Sequence, residues 1–535
     1  MNPAGRITSL ARAITVRPVL LSAAITSAGA IVWITLFPRV GTDLSAAIAR
    51  AQWAAADPGS PYIFSWYGGI YPASYSLLAP FVLAAVGTRL AMVLAAAGTA
   101  ALITAIAARQ RVPRPRAVAI WSALGMLTQL TAGRAAFTLG LLAAAGCLAI
   151  PGPWPGRQAD GAARARFRWA RPAAAAGLGL LTTALSPVAG VFLGIVAAAL
   201  LLAGYRARGL LIGLAAAAPL GVMALLPGAG PQPIGVQNWL PPLVAVAGVL
   251  ILVDSRWRVV RTGSVAYGLT VLAAVILPTP VGSNIERLGE LLAAPVVAGL
   301  ATKRGLTAVT AGAAAAGVWL AAQPAQDLMT GNAPPFAPQT AALARELRRL
   351  HAGTSRVEAV PEYGHWESQA LAGSFWLARG WERQADMARN PLFYRGTLTP
   401  SRYYAWLRDN AVRYVAIPSG PLDWSAEAEA SIVRAGQPWL VPVWHDALWK
   451  LYLVAGTLPL ASPPARVLAT NPAGLTLALR RGGSTLVRVR WSPLLRVTRL
   501  GPGGPPGSDP AVRQHGPWTA IMVRSGGTYR LSASY

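Results

Sequence analysis

The chain has 535 residues, 54% of them hydrophobic and only 12% charged, with mean hydropathy +0.45, where a soluble domain is nearer a quarter charged. The formal net charge of +28 is carried by arginines in short clusters between apolar blocks, with Lys303 and Lys450 the only lysines, which favours loops at a membrane surface over nucleic-acid binding. A single cysteine, Cys147, excludes an internal disulfide framework and a cysteine-based metal site.

The N-terminus carries Arg6, Arg12 and Arg17 ahead of an apolar block at 18–37, too long for a cleaved signal and read as a retained anchor. Further apolar blocks follow at 72–88, 89–108, 117–131, 135–150, 172–186, 187–204, 209–226, 239–253, 263–279, 288–302 and 305–323. If every block crosses, the Arg-rich loops 109–116 and 156–171 fall outside, against the positive-inside rule. Removing 72–88 repairs every loop. That block is short, holds Pro72 and Pro80, and reads as an interfacial helix. The expectation is a polytopic α-helical membrane protein of about eleven spans in a plasma (inner) membrane. Its N-terminus lies inside, and the loop 38–88 and the C-terminal third lie outside.

This placement isolates the carboxylates. Before residue 325 the acidic residues are Asp43, Asp57, Asp160, Asp254, Glu286 and Glu290. Asp160 and Asp254 sit among cytoplasmic arginines as counter-charges, and the other four face outward.

Beyond residue 325 the pattern changes. Leu343, Leu347 and Leu350 mark one face of an amphipathic helix over 340–352, and 400–410 reads as a second helix. Segments 355–361, 412–418 and 448–455 read as strands, so 326–455 is expected to be an extracytoplasmic α/β domain. Alternating runs from 456 to 535, interrupted by the turn-rich 501–510, suggest a terminal β-sandwich-like module.

Asp43, flanked by Gly41, Thr42 and Ser45, suits a general base on a sugar hydroxyl, a metal ligand, or an N-cap for a helix starting at Leu44. Glu286 and Glu290 are one helical turn apart with Arg287 beside them, and fit either catalysis and acceptor binding or a solvated charge cluster. Outward Arg134 and Arg287 suit a phosphate at the lipid surface, or snorkel to headgroups. Trp66, Tyr67 and Tyr71, with Asp57, offer stacking and hydrogen bonding to a sugar, against the alternative of an interfacial aromatic belt. The outward carboxylates leave room for a divalent cation (Mg, Mn or Ca). His351, His365, His445 and His515 show no metal spacing, and neither a phosphate-binding glycine loop nor a nucleophile elbow is present.

The layout of one span, an outer loop with an early aspartate, an interfacial helix ending in "VGTRLAMVL", a bundle and an outer C-terminal domain resembles the GT-C-fold glycosyltransferases. The segments "TAGRAAFTLGL", "SPVAGVFLG" and "HWESQALAGSFWLARGWERQADMARNPLFY" are similar to actinobacterial integral membrane proteins of this type. The resemblance implies residues 1–325 as a GT-C-like module. It implies a polyprenyl-phosphate-linked sugar as donor, a cell-envelope glycan or glycolipid as acceptor, and Asp43 as catalytic base. The family's second outer carboxylate is missing from "TAGRA", so Glu286 or Asp57 would have to replace it. Two alternatives stand beside this reading: a membrane transporter or lipid flippase, and a non-catalytic envelope-assembly protein with the same fold.

Overall fold

A computed structural model of the chain describes residues 3–151, 169–225, 230–302, 306–330, 337–501 and 510–535. Most of 156–171, including Asp160, and most of 501–510 lie outside the described residues. The chain divides into two compact units, one of residues 1–41 and 74–329, the other of residues 42–73 and 330–535.

The first unit is helical. Among the described residues, four helices are long and apolar enough to cross a membrane: Val16–Leu36, Thr88–Arg109, Arg206–Ala224 and Arg258–Ile276. Shorter apolar helices run over Ala135–Ala149, Pro187–Leu202 and Val236–Leu252. The 72–88 block holds a 3-10 turn at Pro72–Ser74 and the α-helix Ala79–Val86, whose 8 residues rise about 12 Å against a hydrocarbon core of about 30 Å. Lipid gives apolar side chains no reason to leave it, so contact between helices depends on small residues and internal hydrogen bonds. A Cβ on Gly140 would lie 2.8 Å from the Cβ atoms of Ser186 and Ala189, which fixes how closely Ala135–Ala149 meets Pro187–Leu202. Between two other helices, the Thr183 hydroxyl donates to Ala216 O at 2.7 Å. Elsewhere buried hydroxyls turn back onto their own helices, as Thr99 does to Ala95 O and Thr104 to Ala100 O.

The second unit is rich in sheet. Strands β1 (Arg356–Ala359), β2 (Trp376–Leu377), β3 (Val412–Pro418), β4 (Leu440–His445) and β5 (Trp449–Val454) form one sheet in the order β2-β1-β3-β5-β4. The pairings of β1 with β2 and β3 are parallel, and those of β5 with β3 and β4 are antiparallel. The helices Pro400–Asp409 and Glu427–Arg434 bury Leu407, Ala430 and Val433 against Val412, Val415 and Ile417 of the sheet.

The C-terminal strands are β6 (Ala465–Asn471), β7 (Gly474–Leu479), β8 (Gly483–Arg490), β9 (Leu495–Leu500), β10 (Ala511–His515), β11 (Trp518–Val523) and β12 (Gly527–Ala533). They make two antiparallel sheets, β10-β11-β8 and β6-β7-β12-β9. Leu475, Leu477 and Leu479 alternate inward along β7 opposite Tyr529 and Leu531 of β12, the period of a half-buried strand.

Residues 42–73, expected to belong to the membrane module, pack into the sheet-rich unit. Phe64 N–H donates to Pro472 O at 2.8 Å, and Ser65 O accepts from Leu377 N–H at 2.8 Å.

Candidate functional site

In the helical unit, charged groups meet where four helices begin or end. The helix Pro115–Thr131 closes in a turn, and Arg134 opens Ala135–Ala149. Its Nη1 lies 3.2 Å from Gln129 Oε1 and 3.4 Å from Glu290 Oε2. The pair is largely enclosed, with 12% of the Arg134 side chain and 11% of the Glu290 side chain exposed. One turn earlier, Glu286 begins the helix Glu286–Leu300, and its Oε2 accepts from Asn238 Nδ2 at 2.9 Å. The helix start is anchored by Tyr267, whose hydroxyl donates to Ile285 O at 2.8 Å and accepts from Gly289 N–H at 3.0 Å. The Arg287 guanidinium carbon lies 5.5 Å from the Phe137 ring centre. Thus Arg134, Arg287, Glu286 and Glu290 come together in one unit, with Asn238 and Gln129 as neutral partners that the sequence did not single out. Buried ionic groups among apolar helices are costly and mark functional sites. Two guanidiniums beside two carboxylates can hold an oxyanion and take up a proton.

Asp43 and Asp57 belong to the sheet-rich unit, at the two ends of the helix Leu44–Ala56. Asp43 stands at the N-cap position, but its side chain makes no capping hydrogen bond. Capping therefore does not account for a carboxylate there. Two residues on, Ser45 Oγ donates to Gly364 O at 2.8 Å. Asp57 lines a cleft of about 420 Å³ with Gln52, Trp53, Gln369 and Ser374.

The aromatic run is interior. Trp66, Tyr67 and Tyr71 are only 2%, 1% and 4% exposed, and their polar atoms are engaged within the unit. Trp66 Nε1 donates to Ser368 O, Tyr67 hydroxyl accepts from Glu382 N–H at 3.0 Å, and Tyr71 hydroxyl donates to Ser492 Oγ at 2.6 Å. Packed in this way the rings form neither an interfacial belt nor an open stacking surface, because the sheet-rich unit uses them as core.

Among the described residues no group of three His, Cys, Asp or Glu is arranged to hold a metal ion.

The searches for relatives give little to set beside this geometry. No family model and no curated protein matches the chain. Solved structures similar at a distance include the archaeal oligosaccharyltransferase AglB from Archaeoglobus fulgidus in complex with an inhibitory peptide and a dolichol-phosphate, and the Archaeoglobus fulgidus oligosaccharyltransferase tethered with an acceptor peptide containing the NVT sequon. Each matches over 76% of this chain and 69% of its own, at 13% identity and a TM-score of 0.45. A likeness that distant carries no argument about chemistry.

The sheet-rich unit holds a second set of buried charges. His365 stacks on Trp381 with ring centres 3.4 Å apart, its Nε2 3.3 Å from Asp423 Oδ2 and its Nδ1 3.5 Å from Glu367 Oε1. Arg383 clamps Asp423 through two hydrogen bonds of 2.9 and 2.6 Å. Burial disfavours the charged imidazole, but Asp423 and Glu367 outweigh it and raise the His365 pKa above its ordinary value. For Asp423 burial again opposes ionisation, and His365 and Arg383 hold the carboxyl well below the usual range. Deeper in, Arg379 joins Glu358 at 2.8 Å and also Glu429, while Tyr403 donates to Glu429 at 2.6 Å. These groups escaped sequence reading because charged residues in a soluble domain are ordinarily on its surface. A signal was the pair of charged residues Arg356 and Glu358 inside an expected strand.

Proposed function

We propose that this chain is a membrane-embedded glycosyltransferase. It takes a sugar from a polyprenyl-phosphate donor and transfers it, with inversion, to a cell-envelope glycan or glycolipid at the outer face of the plasma membrane. The reading includes about eleven crossings, with the C-terminal unit outside.

The observation that carries it is the enclosed cluster of Arg134, Glu290, Glu286 and Asn238 among the apolar helices of the helical unit. A lipid-linked phosphate reaches a protein from the side of the bilayer, and guanidinium matches it through paired hydrogen bonds. Arg134 and Arg287 are assigned to that phosphate, and Glu290 orients Arg134. Glu286 is assigned the proton. The acceptor oxygen bonds to the anomeric carbon as the bond from that carbon to the phosphate oxygen breaks. The hydroxyl proton passes to Glu286, and polyprenyl phosphate leaves with the bonding electrons. Because that leaving group is good, the protein mainly positions and deprotonates.

A second assignment puts the proton on Asp43, the acidic residue that precedes the helix Leu44–Ala56. Membranes supplied with a polyprenyl-phosphate sugar separate the two. E286Q is expected to lower transfer about 100-fold or more while D43N stays near wild type. The reverse pattern moves the base to Asp43, and full activity in both variants removes carboxylate catalysis from the proposal.

A further inference from the structure

The turn Tyr67–Gly68–Gly69 has φ values of 56°, 74° and 126°, all in the region that favours glycine. At Gly69 a Cβ would fall 2.1 Å from Tyr62 Cε1, so the turn is locked against that ring. Its carbonyls are presented to cations. Tyr67 O accepts from Arg490 Nε at 3.1 Å, Gly68 O accepts from Arg490 N–H at 2.8 Å, and Gly69 O accepts from Arg389 Nη1 at 2.5 Å. Behind the turn, Arg356 is fully buried, with Nη1 donating to Asn410 O at 2.7 Å and Nη2 donating to Arg488 O. The Arg356 and Arg490 guanidiniums lie 5.7 and 5.4 Å from the Trp518 ring centre.

Every acceptor in this arrangement is a neutral carbonyl. Among the described residues, none of Arg356, Arg389 and Arg490 forms an ion pair. The carboxylate that Arg389 influences, Glu382, is held by Arg50 at 2.7 Å. Burial first, and Arg490 second, pull the Arg356 pKa down to about 9, while burial and Arg389 lower that of Arg490 to about 10. Three guanidiniums are thus gathered against their mutual repulsion with no negative partner. Arg389 and Arg490 are only half-buried, and among the described residues the two Nη groups of Arg490 and the Nη2 of Arg389 have no acceptor.

We infer that Arg389 and Arg490, backed by Arg356 around the Tyr67–Gly69 turn, form a binding site for a phosphate-type oxyanion. A phosphate group supplies negative charge and several acceptor oxygens for the unused donors. The site lies wholly in the sheet-rich unit and is independent of the transferase assignment. The oxyanion can come from a soluble phosphate compound or from a lipid phosphodiester.

Equilibrium dialysis of radiolabelled pyrophosphate against the full chain tests this, in phosphatidylcholine nanodiscs at about 0.15 M chloride to screen the general field. One saturable equivalent is expected, weakened about tenfold or more by R389Q and by R490Q. R413Q, an exposed arginine on β3, is expected to change nothing. Thermal melts in chloride confirm that each variant is folded. Repeating the titration in phosphatidylglycerol nanodiscs identifies the source: competition by the anionic headgroup assigns the site to lipid, and its absence to a soluble phosphate. Lack of saturable binding by wild type overturns the proposal and leaves the arginines as braces for the turn. Equal weakening by R413Q and R490Q overturns it as well, because the binding then belongs to the net charge.

Discussion

Arg134 and Glu290 face each other at 3.4 Å with little solvent access, where two unit charges attract by about 5 kcal/mol at an effective dielectric near 20. Desolvation opposes most of that gain, so the pair contributes little net stability. Its loss from one side is another matter. E290Q leaves Arg134 uncompensated and is expected to destabilise the helical unit by about 3 kcal/mol, measured by unfolding in detergent. R134Q is expected to raise the KM for the lipid donor more than it lowers kcat, as fits a residue that binds the donor in ground and transition states alike.

The His365 site makes a different residue-scale prediction. The raised His365 pKa gives stability that is complete below its unfolded value of about 6.5 and is lost as pH rises through the folded value. The depressed Asp423 pKa gives stability that is complete above about 3.9 and is lost as pH falls through the folded value. The sheet-rich unit should therefore be most stable between about pH 4 and 6.5. Melting followed by tryptophan fluorescence is expected to show the midpoint falling from pH 6 to pH 9 in wild type, with a flattened slope in H365Q. An equal slope in both proteins assigns the titration elsewhere.

Between elements, the close meeting of Ala135–Ala149 and Pro187–Leu202 rests on Gly140. G140L has nowhere to put its side chain and is expected to cost about 1–3 kcal/mol in detergent unfolding. Elements with strong periodicity were legible in the sequence. The strands at 356–359, 412–418 and 449–454 fall inside the segments expected, and so does the helix Pro400–Asp409. Strand β4 escaped because Pro442 argues against a strand interior; the structure puts β4 at the sheet edge, where proline is tolerated. The helical-unit site was legible in its ions and not in its neutral partners. Arg134, Glu286, Arg287 and Glu290 stand out as charges among apolar blocks, whereas nothing separates Asn238 or Gln129 from other polar residues at helix ends. The aromatic run shows the opposite difficulty, since composition alone does not tell a membrane belt from a soluble core.

For the molecule as a whole, the proposed orientation rests on the arginines. It can be tested with single cysteines introduced beside the one native cysteine, Cys147, which is buried. An impermeant maleimide added to intact cells is expected to label G59C and Q514C and to leave Q110C untouched, all three sites being exposed. Labelling of G59C and Q514C from opposite faces would break the topology on which an outer-face reaction depends. The most direct measurement of the proposed function is sugar transfer by the purified chain in proteoliposomes, with a panel of polyprenyl-phosphate sugars and envelope glycan acceptors. The account expects transfer from at least one donor, reduced about 100-fold or more by E286Q and restored in part at saturating donor for R134Q. Absence of transfer from every donor, or transfer that neither substitution alters, would contradict it.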